Sequence, residues 1–192
     1  NASNLSGDNS STKKSLMASD MSCLLRGVRI LLSDGSTASS SSTPSSAPSK
    51  VPCQKVYERL SKNVDVFAAA LKFATPPEII DLSVEASHWH VVAAVGECLH
   101  MLRQRNCIAT LDGKDCCRLL RALAADGIAV GDTELANYLI DVLKRVSSTC
   151  AFLTVDETIQ CLSDVVSLNL GEEAERCCAP VVMRFTKRAR GL

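Results

Sequence analysis

The sequence predicts an all-α fold: a short array of antiparallel helical hairpins, α-solenoid-like, behind a disordered Ser-rich N-terminal segment. Three observations carry this expectation. Apolar residues recur at three- and four-residue spacing in successive segments, the period of one face of a helix. Aromatics supply only 4% of a chain that is 46% hydrophobic, which leaves the core to Leu, Val, Ala, Ile and Cys and counts against a β-sandwich. Capping residues, glycines and prolines divide the pattern into pieces of ordinary helical length.

Residues 1–50 read as mostly disordered, with one short helix. Residues 1–19 are polar, Ser-rich and without period. From about residue 20 to 32, Leu24, Leu25, Val28, Leu31 and Leu32 mark a short amphipathic helix, with Arg26 and Arg29 between them. Residues 33–50 are dominated by Ser, Thr, Ala and Pro and read as a flexible tether. The tether would let the short helix dock at a distance from the main body or on another protein.

Residues 51–192 read as a helical-hairpin repeat domain. Val56, Leu60, Val64, Phe67 and Leu71 mark a first long helix that ends before Pro76-Pro77. Those prolines suit the first turn of a second helix with Ile79, Ile80 and Leu82. Val91, Val95, Cys98, Leu99 and Leu102 define a third, with Arg103 and Arg105 placed to complement its dipole. Asp112 is the expected N-cap of a helix bearing Cys116, Leu119, Leu120 and Leu123, and Gly127 its stop. Asp132 is expected to cap the next, from Leu135 to Val146. Thr154-Val-Asp-Glu157 is a capping box that opens a helix ending at Gly171. A last helix runs from about Glu172 towards Arg188, with a bend expected at Pro180.

The last four helices read as two copies of one unit. A shift of 43 residues lays Cys116, Leu119, Ala122 and Leu123 on Ile159, Leu162, Val165 and Val166, and Leu135, Leu139 and Ile140 on Cys178, Val182 and Met183. Two helices in roughly 40 residues is the size of an α-solenoid unit. The cadence from Thr110 to Phe185, TLDGKDCCRLLRALAADGIAVGDTELANYLIDVLKRV followed by LTVDETIQCLSDVVSLNLGEEAERCCAPVVMRF, resembles the degenerate helical-hairpin repeats of organellar RNA-associated proteins, the octotricopeptide, heptatricopeptide and FAST-kinase-like groups. That resemblance implies RNA metabolism in an organelle, most naturally the mitochondrion.

No catalytic site is expected. His88, His90 and His100 are the chain's three histidines, and residues at i and i+2 point to different faces of a helix. No acid or cysteine completes a metal site with them, and Trp89 reads as a packing anchor. None of the ten cysteines forms a Cys-x-x-Cys pair, and most occupy apolar helix positions where a thiol packs as a small hydrophobe. No glycine-rich phosphate loop is present, so neither metal nor cofactor is expected, and no apolar run approaches the ~18 residues of a membrane span.

Charge narrows the partners. The chain is neutral overall, with 21 basic and 21 acidic side chains. Six acids and no Lys or Arg lie between Asp156 and Glu175, whereas Arg184, Lys187, Arg188 and Arg190 crowd the end. With Arg118 and Arg121 these four are the candidate RNA-phosphate contacts. Leu24, Leu25, Val28 and Leu31 are the candidate protein-docking residues. The expected role is a non-catalytic helical-repeat subunit of a mitochondrial ribonucleoprotein, acting as scaffold or RNA-associated protein, with other protein subunits as partners and no membrane insertion. A protein scaffold without RNA contact is the alternative. A secreted, disulfide-linked helical protein, suggested by the even cysteine count and the sequons at Asn1, Asn4 and Asn9, is the third.

Overall fold

The computed structural model describes residues 17–34, 58–59, 61–126 and 133–191. Within them lie eight α-helices: α1 (Ala18–Asp34), α2 (Val64–Leu71), α3 (Pro76–His88), α4 (Val92–Gln104), α5 (Gly113–Ala125), α6 (Thr133–Thr149), α7 (Val155–Leu168) and α8 (Glu172–Arg190). Short 3-10 turns, Ile108–Thr110 and Cys150–Phe152, precede α5 and α7. Among the described residues there is no strand. Most of the expected disordered segment and tether, and with them Val56, Leu60, Gly127 and Asp132, lie outside the described residues.

Local chemistry accounts for the helix starts. Thr75 and Glu78 form a capping box before α3, whose first residues are Pro76 and Pro77, and Thr154 and Glu157 form the second before α7. Asp112 caps α5 by accepting from the Lys114 amide. Asn169 ends α7 in the left-handed conformation and Gly171, at φ +81°, opens α8. Pro180 lies inside α8, and the helix continues on both sides of it.

The helices pack in two rows. In one, α1, α3, α5 and α7 follow side by side; in the other, α2, α4, α6 and α8 do the same, and α1 packs across on α2, α3 on α4, α5 on α6 and α7 on α8. Phe67, Ile79, Leu82, Leu99, Leu102, Leu119, Leu123 and Leu139 fill the space between with almost no exposed surface. Each stabilises the fold by about 1.5–3 kcal/mol relative to exposure. Gly113 is required at the start of α5, because a Cβ there would collide with the Thr149 side chain at the end of α6.

A three-part unit recurs along the rows. A buried residue, Ala74, Leu111 or Leu153, directly precedes the cap Thr75, Asp112 or Thr154. Its carbonyl then accepts from an arginine that follows the second helix or lies near its end. Arg105 donates to Ala74 O at 2.6 Å and to the carbonyls of Leu71 and Lys72, Arg145 Nε donates to Leu111 O at 2.7 Å, and Arg188 donates to Leu153 O at 2.9 Å and to Ala151 O. The guanidinium, with five donors in a rigid plane, can serve several carbonyls of one turn. The structural register corrects the sequence alignment for the first helices: the caps Asp112 and Thr154 lie 42 residues apart, so Cys116 matches Thr158, Leu119 matches Cys161 and Leu123 matches Val165, all buried. The 43-residue shift holds for the second helices, where Arg145 matches Arg188.

The N-terminal helix differs from the tethered element the sequence suggested. It is seated on α3 by Ala18, Met21 and Leu25, while Trp89 Nε1 donates to Leu25 O. Arg26 and Arg29 both reach the buried Glu85 carboxylate, at 2.8 and 3.2 Å.

Replacing Arg145 by Met keeps the apolar stem but leaves the Leu111 carbonyl without this donor. Urea unfolding should show a loss of about 1–3 kcal/mol, whereas Arg176→Met, which removes only an exposed pair with Glu172, should cost under about 0.5 kcal/mol. Equal stability of the two variants would remove the structural role given to the clamp.

Candidate anion-binding groove

A cluster of cationic side chains lines a cavity between α4 and α6. A groove of about 580 Å³ is lined by Arg103, Asn106, Ile108, Ala109, Asp141, Lys144, Arg145 and Ser148. Three cations thus face one carboxylate. Asp141 is shared, at 3.5 Å from Arg103 Nε and 3.6 Å from Lys144 Nζ, and Lys144 also lies 3.2 Å from Glu173 on α8. The Glu173 hydrogen bond holds the Lys144 pKa above its ordinary value, so the amine stays charged. Arg145 is fixed by Leu111 O, and the Arg103 guanidinium lies 5.5 Å from the centre of the Tyr138 ring. The wall is therefore held in place before any ligand arrives, and its chemistry suits an anion with several oxygen acceptors, such as a phosphate.

Next to it, nearer the N-terminal ends of the same helices, is a second cleft of about 430 Å³ lined by Glu97, His100, Glu134 and Tyr138 among small and apolar residues. One hydrogen-bonded chain crosses it. Gln104 Nε2 donates to His100 Nε2 at 2.7 Å, His100 Nδ1 donates to Tyr138 Oη at 2.7 Å, and Tyr138 donates to Glu134. This direction fixes the neutral Nδ1–H tautomer of His100, since the Tyr138 proton is already committed to Glu134. That bond to Glu134 pushes the Tyr138 phenol up to about 12.

The sequence-derived candidates are distributed differently. Arg118 is bound to Asp81 at 2.7 Å and Asp115 at 3.4 Å, and Arg121 lies 3.8 Å from the buried Asp164. Arg188 is spent on the turn before α7. Arg184, Lys187 and Arg190 are exposed together on the last turns of α8. Leu24, Val28 and Leu31 are exposed on α1, but Leu25 is buried against the chain's own core, so it is not available for docking. Arg103, Lys144 and Arg145 were missed because they sit about 40 residues apart and converge only when α4 and α6 pack.

The histidines part company: His88 Nδ1 pairs with Asp126 at 2.8 Å and His100 with Tyr138. Among the described residues no group of three or more His, Cys, Asp or Glu could hold a metal ion. Burial pushes the thiols of Cys98 and Cys116 up to about 12. No described helix is long and apolar enough to cross a membrane. No protein-family model, curated protein or solved structure matches the chain.

The Tyr138 phenol gives a direct test of the chain of hydrogen bonds. In a Tyr57→Phe background its absorbance titration should centre near pH 12 rather than ~10, and Glu134→Gln should bring it down. Because the folded value is the higher one, its stabilising contribution is complete below pH ~10 and fades as the pH rises towards 12. A midpoint near ~10 in the intact protein would mean that the chain does not form.

Proposed function

We propose that this protein is a non-catalytic helical-repeat scaffold, α-solenoid-like in its stacking, that contacts RNA phosphates as a subunit of a mitochondrial ribonucleoprotein. The observation that carries the reading is the groove between α4 and α6, where Arg103, Lys144 and Arg145 line the wall with Asp141 while Glu173 on α8 holds Lys144 from outside it, three cations against two acids. The two rows of helices support the scaffold part, since side-by-side hairpins build an extended surface from nearest-neighbour contacts. The resemblance of residues 110–185 to organellar RNA-associated repeats supports the RNA and the compartment. The chain has few aromatics on which bases could stack, so the contact is one of backbone charge rather than base sequence. Other protein subunits are its further partners.

A second reading, a protein scaffold without RNA, is favoured by the apolar residues exposed on α7 and α8, Ile159, Val166, Val182 and Met183.

Fluorescence anisotropy with a single-stranded RNA of about 20 nucleotides, enough to cover more than one site of the usual size, separates the two. Arg103→Gln with Lys144→Gln should weaken binding and reduce the slope of log K against log salt by about 1.4, two phosphate contacts at ~0.7 each. An unchanged slope, or no binding by the intact chain at low salt, would leave the RNA-free scaffold as the function.

A further inference from the structure

We propose that the outer face of the α7–α8 hairpin is a self-association surface, and that its occupant is the same face of a second copy of this chain. The proposal starts from what covers the equivalent face one unit earlier. There α7 lies on α5: Lys114 is 3.5 Å from Glu157, Arg121 is 3.8 Å from Asp164, and Cys117 and Cys161 are both buried. The 42-residue register carries Cys117, Leu120 and Ala124 of α5 onto Ile159, Leu162 and Val166 of α7. Cys117 is 5% exposed beneath α7, whereas Ile159 and Val166 are 50% and 79% exposed. In the second row, the 43-residue register carries Leu139 and Ile140, both buried, onto Val182 and Met183, both exposed. The last hairpin keeps apolar side chains on the face that its predecessor buries, and among the described residues they stand exposed. An apolar patch of this kind marks a contact surface.

Charge selects the occupant. Lys144 on α6 reaches forward to Glu173 on α8, and Asp141 lies beside it. The same register places Arg184 and Lys187 at those positions of α8, while on α7 the counterpart of Lys114 is Asp156. The free face thus carries an acid on the first turn of α7 and two bases towards the end of α8. The two ends are neighbours in the hairpin, because Arg188 bonds the turn immediately before α7. A two-fold axis running along the hairpin sets α7 of one copy on α8 of the other with ends matched. Asp156 of each copy then meets Arg184 and Lys187 of its partner, and the apolar residues meet between them. This is an isologous, closed contact, self-complementary in charge and in apolar surface.

Sedimentation velocity on the full chain tests it over roughly 1–100 μM, the weak end of what an interface of ordinary size achieves. A dimer is expected. Val166→Asp, at an exposed position that the monomer's fold does not use, should leave a monomer with unchanged circular dichroism, and Leu24→Asp on α1 should leave the dimer intact. Asp156→Lys should weaken the dimer at least about tenfold, and combining it with Arg184→Glu and Lys187→Glu should restore it. A monomer at every concentration would overturn the proposal and assign the face to a helical hairpin of another protein. A dimer that survives Val166→Asp, or that Leu24→Asp dissolves, would overturn it by placing the interface elsewhere.

Discussion

Three backbone carbonyls, each one residue ahead of a helix cap, must be bonded in places where the chain turns inward. An unpaired buried carbonyl is costly, and these belong to Ala74, Leu111 and Leu153, side chains buried in the core. In every case the donor is an arginine about one hairpin later in the sequence, Arg105, Arg145 or Arg188. The bond therefore closes each hairpin on itself. It fixes where the second helix ends relative to where the first begins, and so sets which residues of one unit meet the next. The two-row stacking, the burial of Leu119 and Cys161 at matched positions, and the grooves between second helices all follow from that spacing.

Between units the joints are charged at the margin and apolar within. Arg26 and Arg29 join α1 to Glu85, Arg118 joins α5 to Asp81, and Lys114 and Arg121 join it to α7. The exposed pairs of Arg118 with Asp81 and Lys114 with Glu157 contribute little to stability, whereas Glu85 and Asp164 are buried acids that need their arginines. All of them punish a slipped register by setting like charges together. The joint between α4 and α6 is the exception. Arg103 and Lys144 share Asp141, Lys144 also pairs with Glu173, and Arg145 is held by a neutral carbonyl, so two acids stand against three cations and positive charge is left facing a groove. A site with surplus charge and a rigid wall is the place for an anionic partner, and the proposed RNA contact rests on that imbalance.

Helix existence was legible in the sequence because the amphipathic period is strong and the caps are chemically explicit: Thr154 and Glu157 make the expected capping box, and Asp112 caps α5. The helices were legible in the sequence, but the register between them was not legible to the residue. Alignment by apolar matches chose 43 for both helices, whereas the caps impose 42 on the first, because apolar pattern alone does not distinguish an inner face from an outer one. Ile159 and Val166 illustrate this: they look like core residues in the sequence and are exposed in the structure. Glu85 illustrates the converse. Its carboxylate is buried, with Arg26 and Arg29 brought to it from α1, and no local pattern in the sequence marks it. The partners of three of the basic candidates were hidden for a related reason. Arg118, Arg121 and Arg188 have acids or carbonyls beside them that only the packing of distant helices supplies.

If each hairpin is closed by its own arginine, loosening one should be felt locally, as expected of units coupled to their nearest neighbours. Amide hydrogen exchange of Arg105→Met measures this most directly. Exchange should accelerate around residues 71–80 and 98–105, where the bonds to Leu71, Lys72 and Ala74 are lost, while the amides of α7 and α8 keep their protection. A uniform acceleration along all the helices, or none near Ala74, would contradict the account.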